Sequence, residues 1–349
     1  MAKKYILLSI FSGLLFGLSW PVKGLVFLIF IAFVPLLLIE KELRDKSSLH
    51  IFFYSLLSFV IWNLITSWWL INSTVFGMLF AIGLYSFLMA LFFTSYSLIS
   101  KKLGHKLGVI FFISSWIVFE KFNLSWEFSW PSLILGNVFS ESHKLVQWFE
   151  FTGTLGGSLW ILIVNIIFYK AFNKYLIKKY YLNKLSIGLL FVSFPIIISL
   201  YMYNLDTKKG NELDIAIVQP NIDPYTSKYG RTNLEILQEF KKNTEDNIFN
   251  NKLIITPETY FSESPGYQIN NFFNTPFYKN LDNYLNEKNS EIISGIQFYK
   301  IYTSAREKSI SSNYVRDSIW VDIYNSSFIN SNTDQIYHKS KLVVGVENL

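Results

Sequence analysis

Between residues 5 and 204 the sequence returns seven times to a long apolar run bounded by short polar segments, at about 5–22, 24–40, 51–71, 75–99, 107–122, 152–170 and 186–204. About twenty such residues cross the hydrocarbon core of a bilayer as a helix. With no water there to bond the backbone, only helices and closed barrels can span it. The expectation is a polytopic α-helical membrane domain of about seven spans over residues 1–204. The 24–40 and 107–122 runs are the shortest, and the latter is diluted by Ser114 and Ser115 and closes on Glu120-Lys121. Lys3 and Lys4 before the first run would also suit a signal peptide, but no small-x-small cleavage site follows and further spans do. Pro35 and Pro195 fall inside runs, where neighbouring helices can absorb a kink.

Charge divides the chain at the same place. Residues 1–203 contain seven Asp or Glu, whereas residues 204–349 contain the other eighteen and read as water-soluble. Cytoplasmic loops accumulate lysine and arginine. Lys3 and Lys4; Lys41, Arg44 and Lys46; Lys101, Lys102 and Lys106; and Lys170, Lys174, Lys178, Lys179 and Lys184 occupy alternate loops. This puts the amino terminus in the cytoplasm and, after seven spans, the domain from residue 205 onward outside. The net charge of +6 is accounted for by those loops and needs no nucleic-acid partner. His50, His105, His143 and His338 lack metal-ligand spacing, so no metal or other cofactor is expected. The chain has no cysteine, which excludes disulfides and a thiol nucleophile among these residues.

Residues 123–151 interleave Trp126, Phe128, Trp130, Phe139, Trp148 and Phe149 with Glu127, Glu141 and Glu150. Such a loop suits either an aromatic belt at the membrane interface or a surface that guides a lipid. Gly153, Gly156 and Gly157 at the start of the sixth run let helices approach closely. In the soluble part, 213–218, 252–256 and 291–295 read as buried strands, and 230–250 and 275–288 as helices. This alternation argues for an α/β fold. Residues 317–330 and 335–344, separated by Asn330-Ser331-Asn332, read as a hairpin, with Lys339 and Lys341 on one side of its second strand. Asn325-Ser326-Ser327 matches a glycosylation sequon, a pattern too short to carry weight.

Glu258, following Thr256-Pro257, stands at the carboxyl end of a strand, where open α/β sheets place their ligands. By position alone, a solvated turn glutamate is the favoured reading of Glu258, as is a charged edge strand for Lys339 and Lys341. Gln219-Pro220-Asn221, Pro257-Glu258 and Tyr337-x-Lys339-x-x-Leu342-Val343, behind a polytopic membrane domain, resemble the apolipoprotein N-acyltransferases of the nitrilase superfamily. The stretch Trp130-Pro131-Ser132-Leu133-Ile134-Leu135-Gly136-Asn137 with Thr152-Gly153-Thr154-Leu155-Gly156 is similar to that family's loop before its sixth span. The resemblance implies an inner-membrane enzyme with a periplasmic nitrilase-like sandwich domain. Its implied reaction is acylation of the N-terminal diacylglyceryl-cysteine of apolipoproteins with a chain from a phospholipid, by way of an acyl-thioester.

On that resemblance Glu258 matches the general base, Lys339 the lysine that stabilises the oxyanion, and Glu347 a second essential glutamate. Val344-Gly345-Val346 stand where the family has Pro-Phe-Gly. The family's nucleophilic cysteine comes several dozen residues later, so residues 205–349 are expected to be the N-terminal portion of the nitrilase-like domain, an incomplete α/β sandwich. The chain alone is then expected to be inactive. Its expected partners are the membrane, a phospholipid acyl donor, an apolipoprotein acceptor and a separately encoded C-terminal segment. The alternatives are a non-catalytic lipid- or lipoprotein-binding membrane module and a membrane-anchored amidase.

Overall fold

The computed structural model describes residues 2–205, 210–223, 227, 228 and 230–342. The chain divides into two compact units, Met1–Lys208 and Lys209–Leu349.

The first unit is all helical, with α1 (Ala2–Ser19), α2 (Val34–Leu43), α3 (Ser48–Ser67), α4 (Val75–Leu103), α5 (His105–Asn123), α6 (Phe149–Leu176) and α7 (Leu182–Leu205). Five helices among the described residues are long and apolar enough to cross a membrane: α1, α3 with its 3-10 continuation to Asn72, α4, α6 and α7. The expected count of about seven is corrected to these five. α5 is a single helix of 19 residues, but Lys106, Glu120 and Lys121 dilute its ends. The 24–40 run is no continuous helix at all. It forms a 3-10 segment, Val26–Ile31, followed by the ten-residue α2. Pro35 lies in the first turn of α2, where its missing N–H costs nothing.

The broken run is tolerated because it is buried in protein. Ile29, Phe30, Ala32, Phe33, Leu36 and Leu37 are all buried, and Asn165 on α6, itself fully buried, bonds the interrupted backbone on both sides. Its Oδ1 accepts from the Phe33 N–H at 2.9 Å, and its Nδ2 donates to the Ile29 carbonyl at 2.8 Å. Ser12 of α1 donates to the Ala32 carbonyl. Pro195 of α7 removes a helical donor, and Trp160 of α6 supplies one, its Nε1 donating to the Phe191 carbonyl at 2.6 Å. Gly13 and Gly17 bring α1 against α3: a Cβ at Gly13 would lie 2.6 Å from the Ser58 carbonyl oxygen. Phe16, Phe33, Phe59, Trp62, Phe112 and Trp116 fill the centre with stacked and edge-on rings.

Polar contacts sort by end. Lys4 pairs with Glu42, Arg44 forms two hydrogen bonds with the buried Glu40 and reaches His105, and Lys41 donates to Asn173. These contacts gather the start of α1, the end of α2, the start of α5 and the end of α6. A separate set joins the segment after α1 and the end of α7 to the 123–151 loop: the Lys23 N–H donates to Glu141, and the Lys144 ammonium lies over the Tyr203 ring, 4.9 Å from its centroid. The 123–151 loop packs into the bundle. Asn123 accepts from Trp126, Tyr85 and the Trp130 backbone, Glu120 accepts from the Leu135 N–H, and Phe139 stacks on Trp160. Phe151 and Phe128 remain exposed.

The second unit holds β1 (Ile215–Ile217), α8 (Asn233–Asn243), β2 (Leu253–Ile255), β3 (Tyr267–Gln268), α9 (Pro276–Glu287), β4 (Glu291–Tyr302), β5 (Asn313–Arg316), β6 (Ile319–Ile329) and β7 (Asn332–His338). They form one mixed sheet in the order β1-β2-β4-β6-β5, with β3 beside β4 and β7 beside β6. β1, β2 and β4 run parallel, and β6 is antiparallel to β4, β5 and β7. Thr232 and Glu235 close a capping box on α8, and Thr275 caps α9 with Pro276 next to it. The apolar faces of both helices, through Ile236, Leu237, Phe240, Phe277, Leu281 and Leu285, cover Ile254, Ile292, Ile296 and Phe298 of the sheet.

Candidate active site

β2 stops at Ile255 because Pro257 cannot donate to a ladder, and the chain turns sharply at Thr259, whose φ is +50°. That turn lies against Gly295 of β4. A Cβ there would sit 2.4 Å from the Pro257 carbonyl oxygen and 2.5 Å from the Thr259 nitrogen, so only glycine lets the Glu258 backbone come so close. Gly295→Ala should destabilise the sheet unit by about 1–3 kcal/mol, the usual cost of overpacking a tight site. Proteolytic susceptibility of the full chain in detergent measures this, and wild-type resistance would refute the close approach.

Glu258 and Lys339 meet. The Lys339 Nζ lies 3.0 Å from the Glu258 Oε1. The β6–β7 hairpin makes this possible: Ser326 pairs with His338, and the Lys339 N–H donates to the Asn325 carbonyl at 2.8 Å. β7 ends at His338, so the expectation that Lys339 and Lys341 share one side of a strand is corrected: both follow the strand, and Lys339 keeps one backbone bond to β6. Asn325 also reaches the carboxylate, its Nδ2 donating to the same Oε1, while its Oδ1 accepts from the Thr259 hydroxyl. Among the described residues both side-chain donors to the carboxylate meet Oε1, and none reaches Oε2. The Glu258 side chain is 59% exposed, a solvated carboxylate held in place by its partners.

Lys228 lies beside them. Its Nζ donates to the Glu258 backbone carbonyl at 3.2 Å, and its own carbonyl accepts from Ser262. Burial lowers its pKa, opposed by the nearby Glu258 charge. Gln219, Pro220, Asn221, Lys228, Pro257 and Glu258 line a cleft of about 230 Å³, so two of the sequence motifs come together at one place. Glu347 lies outside the described residues. His338 points into a different cluster, its ring 4.5 Å from that of Tyr324 and its Nδ1 2.7 Å from the Ser326 hydroxyl, with burial lowering its pKa. Sequence reading missed Lys228 and Asn325. Lys228 sits in a polar segment without periodicity, and Asn325 stood only in a discounted sequon.

The membrane unit and the sheet both bear on what the chain is related to. Residues 12–167 match a family model described as the apolipoprotein N-acyltransferase N-terminal domain. The chain is 28% identical over 272 residues to the apolipoprotein N-acyltransferase of Chlorobaculum tepidum, covering 74% of this chain and 50% of that protein. It is 26% identical over 285 residues to that of Thermotoga maritima, with 74% and 52% covered. With apolipoprotein N-acyltransferase 1 of Treponema denticola the identity is 24% over 269 residues, with 73% and 48% covered. The chain thus spans about half the length of the curated relatives it matches. In its membrane domain by the family model, and over about three quarters of its length by these relatives, the chain is similar to apolipoprotein N-acyltransferases.

Proposed function

We propose that this chain supplies the membrane domain and the first part of a periplasmic nitrilase-like domain for phospholipid-dependent N-acylation of apolipoproteins at the bacterial inner membrane. The observation that carries this reading is the ion pair of Glu258 with Lys339 at the end of β2, beside a cleft and 81 residues apart in sequence. In this reading Glu258 takes the proton of a thiol, and the thiolate attacks the ester carbonyl of a phospholipid. Lys339 offsets the negative charge on the oxyanion, and the lysolipid alcohol leaves as the acyl-thioester forms. The α-amino group of a diacylglyceryl-cysteine then attacks the thioester and releases the thiol. Glu347 is proposed as a further glutamate of the same site.

The membrane orientation is proposed with the lysine-rich end in the cytoplasm. The contacts among Lys4, Glu42, Arg44, His105 and Asn173 support it by collecting those loops at one end. The thiol is not among these 349 residues. The test is therefore a chimera that joins this chain at Leu342 to the cysteine-bearing carboxyl-terminal part of an established apolipoprotein N-acyltransferase. It should N-acylate a diacylglyceryl-cysteinyl peptide, and Glu258→Gln should lower that rate by about 10²–10⁴-fold, the usual worth of a general base. An active chimera indifferent to Glu258→Gln would eliminate the proposed role. Specific lipopeptide binding by an inactive chimera would favour the non-catalytic module.

A further inference from the structure

An apolar cleft of about 470 Å³ opens between α1, α2, α6 and α7, lined by Leu15, Ile31, Pro35, Phe168, Ala171 and Leu189 among others. Its size falls within the roughly 300–1,000 Å³ usual for ligand clefts. Three of the bordering helices, α1, α6 and α7, are candidate spans, so the medium around the cleft is lipid. Tyr175 and Tyr181 also border it, their rings edge-on at 5.2 Å across the α6–α7 connection. Tyrosines of this kind mark the level of the headgroups. At that level the chain carries Lys170, Lys174, Lys178, Lys179 and Lys184, with no Asp or Glu anywhere in residues 151–205. Among the described residues none of the five has a carboxylate within ion-pair distance.

We propose that this cleft is a binding site for an anionic glycerophospholipid, which lays an acyl chain along the apolar lining and its phosphate among the lysines of the α6–α7 connection. Basic clusters beside clefts between membrane helices recognise such headgroups. The broken 24–40 run shapes the site, because Ile31, Val34 and Pro35 present a wall where a straight helix would run past. The site is independent of the Glu258 chemistry and needs no turnover.

The test is native mass spectrometry of the full chain, purified in a non-ionic detergent and offered equal amounts of phosphatidylglycerol and phosphatidylcholine with identical acyl chains. Retention of phosphatidylglycerol is expected to be about tenfold greater, the preference that one or two lysines at the headgroup level supply. The variant Lys174→Gln/Lys178→Gln/Lys179→Gln leaves Lys170 and Lys184 to keep the loop on its own side of the membrane, and it should lose that preference. Ala171→Phe, which fills the cleft, should lower retention of both lipids. Equal retention of the two lipids by the wild-type chain overturns the proposal and needs no variant to be made. An undiminished preference in the triple variant overturns it equally.

Discussion

Incubated with radiolabelled phospholipid, the purified 349-residue chain is expected to form no acyl-thioester. A covalent acyl intermediate needs a nucleophile that can carry the chain between donor and acceptor. Glu258 can take a proton and Lys339 can stabilise negative charge, but neither can hold the acyl group as a thioester, and the chain has no cysteine. The expected change from a thiol-bearing family enzyme is complete loss of this species rather than a slowed rate. Acid-stable, thiol-labile label on the chain would contradict the assignment of roles. A diacylglyceryl-cysteinyl substrate cannot repair the deficit, because its sulfur is already alkylated and its amine is the acceptor.

Asn165→Leu is expected to do the largest damage to the membrane unit. The substitution keeps the approximate volume but removes the acceptor of the Phe33 N–H and the donor to the Ile29 carbonyl. The Phe33 N–H stands at the N-cap of α2, before the first helical turn, whereas the Ile29 carbonyl lies inside the 3-10 turn and keeps a longer bond from the Ala32 N–H at 3.4 Å. Leaving a buried polar group unsatisfied costs about 1–3 kcal/mol; here the Phe33 N–H loses its acceptor and the Ile29 carbonyl loses its shorter bond at once. Ser12→Ala removes one bond, to the Ala32 carbonyl, and should cost less. Thermal unfolding in detergent gives the comparison. If Asn165→Leu melts with the wild type while Ser12→Ala does not, the carboxamide is not what holds the broken run.

The same residue shows where sequence reading stops. Hydropathy finds apolar runs because lipid selects residue type, but it averages over the backbone path. Residues 24–40 satisfy it as well as a true span does. Asn165 in the middle of the sixth run was the local sign of a polar partner, but nothing nearby in sequence says that its partners lie 132 and 136 residues away. In the sheet unit the strands 213–218, 252–256 and 291–295 were legible from their apolar runs. The hairpin was legible from Asn330-Ser331-Asn332, and it appears as β6 and β7 in antiparallel register. What could not be read was that Asn325 shares an oxygen of Glu258 with Lys339, or that Lys228 approaches the same turn.

The sequence by itself determined a membrane-embedded first part, a charge-rich α/β second part, and the absence of a thiol among these residues, because each depends on residue type or local periodicity. Only the tertiary structure decided which apolar run is broken, that Gly295 makes room for the Glu258 turn, and that a carboxylate and an ammonium 81 residues apart form one ion pair. Those outcomes depend on strand register and helix packing, which are set by contacts between segments that the chain order keeps far apart.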